Sequence, residues 1–216
     1  NFDGGLLKAT ANDTTENPFI SNYGGSTTFA LNVMDGGARI DTNGYNATVT
    51  EALLAGEAND GGLTKLGAGT LTLTNASNTY AGDTIVDEGT LSIANNTVFD
   101  DESSVYLGVG GVLDLGFTSI GDVVEQIAGL FFAGVAQTEG TWGAVGNTYA
   151  DHTSSYLTGA GLLSVGSSVV LIPGDTNGDR VVDDTDAKAL AENWGEGPGA
   201  SVATGDFNKD GYVNAL

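Results

Sequence analysis

The stretch GTLTLTN at 69–75 returns as GTLSIAN at 89–95, so Leu71, Leu73 and Asn75 align with Leu91, Ile93 and Asn95 at a spacing of 20. GVLDLGF at 111–117 and GLLSVGS at 161–167 echo the same shape less faithfully. Self-similarity at a short fixed period constrains a chain strongly, because equivalent residues must find equivalent surroundings in every copy. Within each copy apolar and small polar residues alternate, the period-two pattern of a strand with one buried face. Gly in front and Asn or Gly behind supply the positive-φ corners.

A short strand followed by turns, about every 20 residues, suits a parallel β-helix in which each coil lays its strand about 4.8 Å from the last. About eight such coils would fit into residues 1–170. An antiparallel β-sandwich is the alternative; it offers similar strands but does not require the same phase to return. The expected class is therefore mainly β.

Composition agrees with a turn-rich β architecture: the chain has 34 glycines but only three prolines, which excludes collagen and polyproline readings. Twenty-eight acidic residues against six basic ones leave a net charge of -22. Such a surface repels nucleic acid and anionic membranes and favours cations as counter-charge. Hydrophobic residues make up 40% and charged residues 16% of the chain, enough to build a core rather than a disordered polyanion. No apolar run is long enough to span a bilayer, so no membrane insertion is expected. With no cysteine, no initiator Met and no signal pattern at Asn1, the chain reads as a processed or excised segment.

Catalytic patterns are sparse. His152 is the single histidine, so neither a Ser-His-Asp triad nor a His-rich metal site is suggested. Before Arg180 the cationic side chains are Lys8, Arg39 and Lys65, a poor set for an enzyme acting on acidic polysaccharides. Trp142, Tyr149 and Tyr156 could form an aromatic sugar platform or cover the last coil; the second is the expectation. No enzyme is expected.

At 171–174, LIPG, the texture changes and carboxylates become regularly spaced, which places a boundary between residues 1–170 and 171–216. In GDTNGDRVVDDTD, Asp175, Asn177, Asp179, Asp183 and Asp186 occupy loop positions 1, 3, 5, 9 and 12, and Val181 at position 7 offers its backbone carbonyl. Alternate oxygens at that spacing suit Ca²⁺, which takes six to eight ligands; Mg²⁺ demands tighter octahedral geometry. A second copy, GDFNKDGYVNAL at 205–216, repeats the phase, with Val213 standing 31 residues after Val182. From Thr185 the chain reads TDAKALAENWG, with Ala187, Leu190, Ala191 and Trp194 on one helical face and Gly195 as the stop.

Two family resemblances rest on these stretches. GGLTKLGAGTLTLTNASNTYAGDTIVDEGTLSIAN at 61–95 resembles the autotransporter-associated β-strand repeat of large secreted and surface proteins of bacteria. GGARIDTNGYNATVTEALL at 36–54, with GVAQTEGTWGAVG and LTGAGLLSV within 134–165, is similar to its flanks. The resemblance implies a β-helical, extracellular or cell-surface stalk without chemistry of its own. Residues 174–216 resemble type I dockerin repeats, paired Ca²⁺ loops with helices that dock onto cohesin domains. It implies Ca²⁺ ligands at Asp175, Asn177, Asp179, Asp183 and Asp186, and again at Asp206, Asn208, Asp210 and Asn214, with Tyr212 as carbonyl donor. Arg180 departs from the family's Gly at position 6, at a cost on the order of 1 kcal/mol. Position 12 of the second loop would be residue 217, beyond this sequence. The function expected is a calcium-stabilised structural block that self-assembles as a homo-oligomer or fibre. A dockerin module joined to a cohesin-type partner is the alternative, and a polysaccharide-active β-helix enzyme a more distant one.

Overall fold

The computed structural model describes residues 1–22, 30–58, 60–119, 124–166, 184–195, 197 and 212–214. Two compact units are present, Asn1–Ser168 and Val169–Leu216.

The first unit is a parallel β-solenoid. An opening turn supplies β1 (Leu6–Lys8); the next coil supplies β2 (Leu31–Val33), β3 (Ala38–Asp41) and β4 (Ala47–Val49). The coil after it repeats this plan with β5 (Leu53–Ala55), β6 (Leu63–Leu66) and β7 (Thr70–Leu73). In the following two coils the second and third strands fuse into single bent strands, β8 (Thr84–Ile93) and β9 (Ser104–Leu115). The terminal region holds β10 (Glu125–Ile127), β11 (Gly129–Phe132), β12 (Val135–Ala136), β13 (Gly140–Ala144), β14 (His152–Ser154), β15 (Leu157–Gly159) and β16 (Leu163–Val165).

One parallel ladder runs β1-β3-β6-β8-β9-β11 and a second runs β4-β7-β8-β9-β15. The first half of β8 and β9 lies on one ladder and the second half on the other, with an irregularity between Val86 and Glu88 where the strand turns the corner. β2 and β5 pair in parallel along a third side.

The register bears out the repeat: Leu71 lies beside Leu91 and Leu73 beside Ile93, and the next rung adds Leu113 and Leu115. Asn75 and Asn95 hold equivalent corners, their side-chain amides donating to Thr50 O at 3.1 Å and Thr74 O at 2.9 Å. The echo at 161–167 belongs elsewhere, since β16 pairs with β10 and it is β15 that follows β9 on the ladder.

The number of coils is about four, not eight. A spacing of 20 holds only between β7 and β8; Leu6 pairs with Arg39, 33 residues on, and Leu113 with Leu157, 44 residues on. Coils lengthen because each carries two or three strands and the corners that join them.

Parallel stacking sorts the inward side chains into columns. Ala47, Leu71, Leu91, Leu113 and Leu157 form one, and Val49, Leu73, Ile93 and Leu115 another, all buried. On the other ladder Ala38, Leu63, Thr84, Val105 and Leu130 align, as do Ile40, Lys65, Val86, Leu107 and Phe132. Each fully buried Leu or Ile contributes roughly 1.5–3 kcal/mol, so stacking supplies the stability that no single coil could hold. The terminal region covers the last coil. β12 turns back antiparallel on β11, and Phe132 stacks on Tyr156 at 4.7 Å and meets Trp142 edge-on at 5.5 Å.

In the second unit, α1 (Asp184–Glu192) forms where the Ala- and Leu-containing stretch predicts it. A turn follows it to Gly195, whose φ of +87° is the left-handed conformation that glycine adopts with least strain after a helix. The Gly195 N–H donates to Val213 O at 2.7 Å, and Val213 is buried.

Candidate functional site

Most of the residues expected to form the cation loops lie outside the described ones: Asp175, Asn177, Asp179, Val181, Asp183, Asp206, Asn208 and Asp210. So do Arg180 and Val182. Asp186 falls within the first turn of α1. Tyr212 and Asn214 are exposed on either side of buried Val213. On the expected helical face Leu190 is half-buried, while Ala187, Ala191 and Trp194 are exposed, Trp194 by 58%. The side chains expected as donors carry carboxylate and amide oxygens, the kind that a hard cation such as Ca²⁺ takes.

On the solenoid the acidic residues have a different task. Stacked coils leave backbone N–H groups at corners without strand partners, and carboxylates from a neighbouring coil accept from them. Asp60 is buried and takes three such bonds, from Gly62 N at 2.9 Å, Ala81 N at 2.8 Å and Gly82 N at 3.0 Å. Asp83 accepts from Ser104 N at 2.8 Å, Asp3 from Gly36 N at 3.1 Å, and Asp13 from Phe19 N at 3.2 Å and from Thr48 N. Asp114 bridges coils through Ser92 Oγ at 2.7 Å and Thr158 Oγ1 at 3.0 Å. Part of the large negative charge is thus scaffold. Among the described residues no group of three or more His, Cys, Asp or Glu side chains converges as a metal site.

Sequence analysis does not place Glu125 or Lys65 in the core, yet both are buried. Glu125 is 1% exposed on β10 and accepts hydrogen bonds from Val98 N at 3.1 Å and Phe99 N at 2.6 Å. Burial pushes its carboxyl up to about 8; the two amides pull it down and the Asp101 charge adds to the rise. Lys65 is fully buried on β6, and burial brings its ammonium down to about 8 against the opposing pull of the Asp41 and Glu88 carboxylates. The signal was strand parity. Lys65 shares its strand face with Leu63, and Glu125 with Ile127, so both had to face inward.

The remaining residues singled out in the sequence fall into place around the terminal cap. Trp142 is buried; its indole N–H donates to Thr138 O at 2.9 Å, and His152 lies over its ring at 4.7 Å. Tyr156 packs on Phe132, whereas Tyr149 is 81% exposed and apart from that cluster. Trp142 and Tyr156 therefore cover the last coil, and the three aromatics do not make one platform. Asp151 accepts from Thr141 N at 3.0 Å and Thr141 Oγ1 at 2.8 Å, which holds its carboxyl below the usual range. A surface hollow lined by Asn78, Thr79, Tyr80, Asp100, Asp101 and Glu102 is acidic. Within it Asp100 already accepts from Glu102 N at 2.9 Å.

Residues 63–93 match the family model of the passenger-associated-transport-repeat, and residues 173–216 match that of the dockerin type I domain. The first match coincides with β6–β8, where the register of the repeat is strictest. Dockerin type I domains are calcium-binding and bind cohesins, which is compatible with the oxygen donor set of 175–186. No curated protein and no solved structure matches the chain significantly.

Proposed function

We propose that the chain is an extracellular or cell-surface structural protein: a β-solenoid block, stabilised at its C-terminal segment by Ca²⁺, that assembles with further copies into a fibre, stalk or layer. The observation that carries this reading is the solenoid interior, filled from coil to coil by aligned aliphatic side chains, while its corner carboxylates are engaged with backbone amides. Such a body is suited to stiffness.

In this reading Asp175, Asn177, Asp179, Val181, Asp183 and Asp186 hold the ion and no side chain performs catalysis. Light scattering on the purified chain at high concentration in Ca²⁺ tests assembly: growth in mass with Ca²⁺ is expected, and a persistent monomer refutes it. A second reading, favoured by the dockerin match at 173–216, is a module that attaches the solenoid to a cohesin-type partner. Ca²⁺-dependent capture by an immobilised cohesin domain, lost on chelation, would select that reading.

A further inference from the structure

Lys65 occupies a position in its column that is Ile40 in the coil before and Val86 in the coil after. A buried ammonium is expensive unless its protons are all accepted. Here Nζ donates to Thr42 Oγ1 at 2.8 Å, to Glu88 O at 2.8 Å and to Gly67 O, with Leu66 O at 3.2 Å. Thr42 is itself buried and passes its hydroxyl proton to Ala68 O at 2.7 Å. The acceptors come from three successive coils: Thr42 from the corner between β3 and β4, Leu66 from the end of β6 with Gly67 from the corner after it, and Glu88 from the bend of β8.

Carbonyl and hydroxyl oxygens converging from several sides are the surroundings of a desolvated monovalent cation. Two nearby carboxylates, Asp41 and Glu88, add negative potential, and Asp41 is itself paired with Lys8 at 2.8 Å. Gly89, at φ +73°, keeps the approach open; a Cβ there would stand 2.8 Å from Lys65 Nζ and 2.7 Å from Gly67 O.

We infer that this corner is a cradle for a small monovalent cation of the ammonium or potassium class, occupied permanently by the tethered Lys65 ammonium, which ties three coils together without an exchangeable metal ion. The solenoid thereby carries its own internal cation, and divalent-ion dependence is left to the C-terminal segment.

The test uses the full chain. In the wild-type protein the Lys65 ammonium protons should give a slowly exchanging NMR signal at neutral pH; absence of a protected ammonium overturns the inference. Lys65→Met, which fills the stem without the charge, should lower the melting temperature by on the order of 10 °C, because the converging oxygens lose their donor. Lys65→Ala leaves the cradle open, so ammonium chloride should restore its melting temperature relative to tetramethylammonium chloride at equal ionic strength. Wild type and the cavity variant Leu91→Ala should show no such difference between the two salts. A Lys65→Ala protein indifferent to the choice of cation, or a Lys65→Met protein as stable as wild type, refutes the cradle. Should Lys65→Ala not fold, the wild-type NMR signal and the Lys65→Met melting temperature decide between the same outcomes.

Discussion

Replacing Glu125 by Gln should change how stability depends on pH, not merely how large it is. The carboxyl is 1% exposed and its folded value of about 8 stands well above the 4.5 of the unfolded chain. A raised carboxylate value means that the folded protein holds the proton more tightly. The contribution is whole below about pH 4.5 and is lost as pH rises through about 8. Each unit of pH inside that window weighs about 1.4 kcal/mol, so between pH 5 and pH 8 the wild-type chain should lose about 3 kcal/mol that a Gln cannot lose. Gln retains an Oε1 able to accept from both Val98 N and Phe99 N, the two bonds that hook the 98–99 corner to β10. The assay is thermal unfolding of both proteins from pH 5 to pH 9. For a unit of this size the melting temperature of E125Q should gain on wild type by on the order of 6–12 °C across the window. The background effect of a charge of -22 is shared by the two proteins and cancels in their difference to within one charge. A difference that stays flat with pH would refute the reasoning, since it would mean that Glu125 is ionised in the folded protein already at pH 5.

Other outcomes follow from the same geometry. Leu91→Ala opens a cavity in the middle of a five-residue column and should cost about 2–5 kcal/mol in chemical denaturation. Asp60→Ala leaves the N–H groups of Gly62, Ala81 and Gly82 without their carboxylate and should cost on the order of 3 kcal/mol, read as a lower denaturant midpoint. Gly89→Ala combines a left-handed φ of +73° with a contact 2.7 Å from Gly67 O, so a melting temperature equal to wild type would contradict the corner geometry. Chelation should lower the stability of the C-terminal unit while leaving the far-UV β signal of the solenoid intact. Asp175→Ala with Asp179→Ala should abolish tight Ca²⁺ binding at the first loop in calorimetry.

What the sequence determined by itself was the phase of the fold. Alternation in GTLTLTN and GTLSIAN decides which side chains face inward, and a spacing of 20 decides that Leu71 meets Leu91 rather than any other residue. Those are local and periodic properties, legible because a strand exposes opposite faces at successive residues. The helix Asp184–Glu192, with Gly195 shortly after it, was legible for the same reason, from apolar spacing and a C-terminal glycine. The oxygen spacing of the first cation loop is likewise written in the chain.

The tertiary structure decided how long each coil is and what the corners demand. A corner's length depends on which neighbouring carbonyls and amides lie across from it, so 33 residues separate Leu6 from Arg39 where 20 separate Leu71 from Leu91. The same dependence explains why acids read as counter-charges for cations became acceptors for backbone amides, as at Asp60 and Asp83. It also explains why Lys65 can sit among Ile40 and Val86: the oxygens that accept its protons come from Thr42, Gly67 and Glu88, on three coils that only stacking brings together.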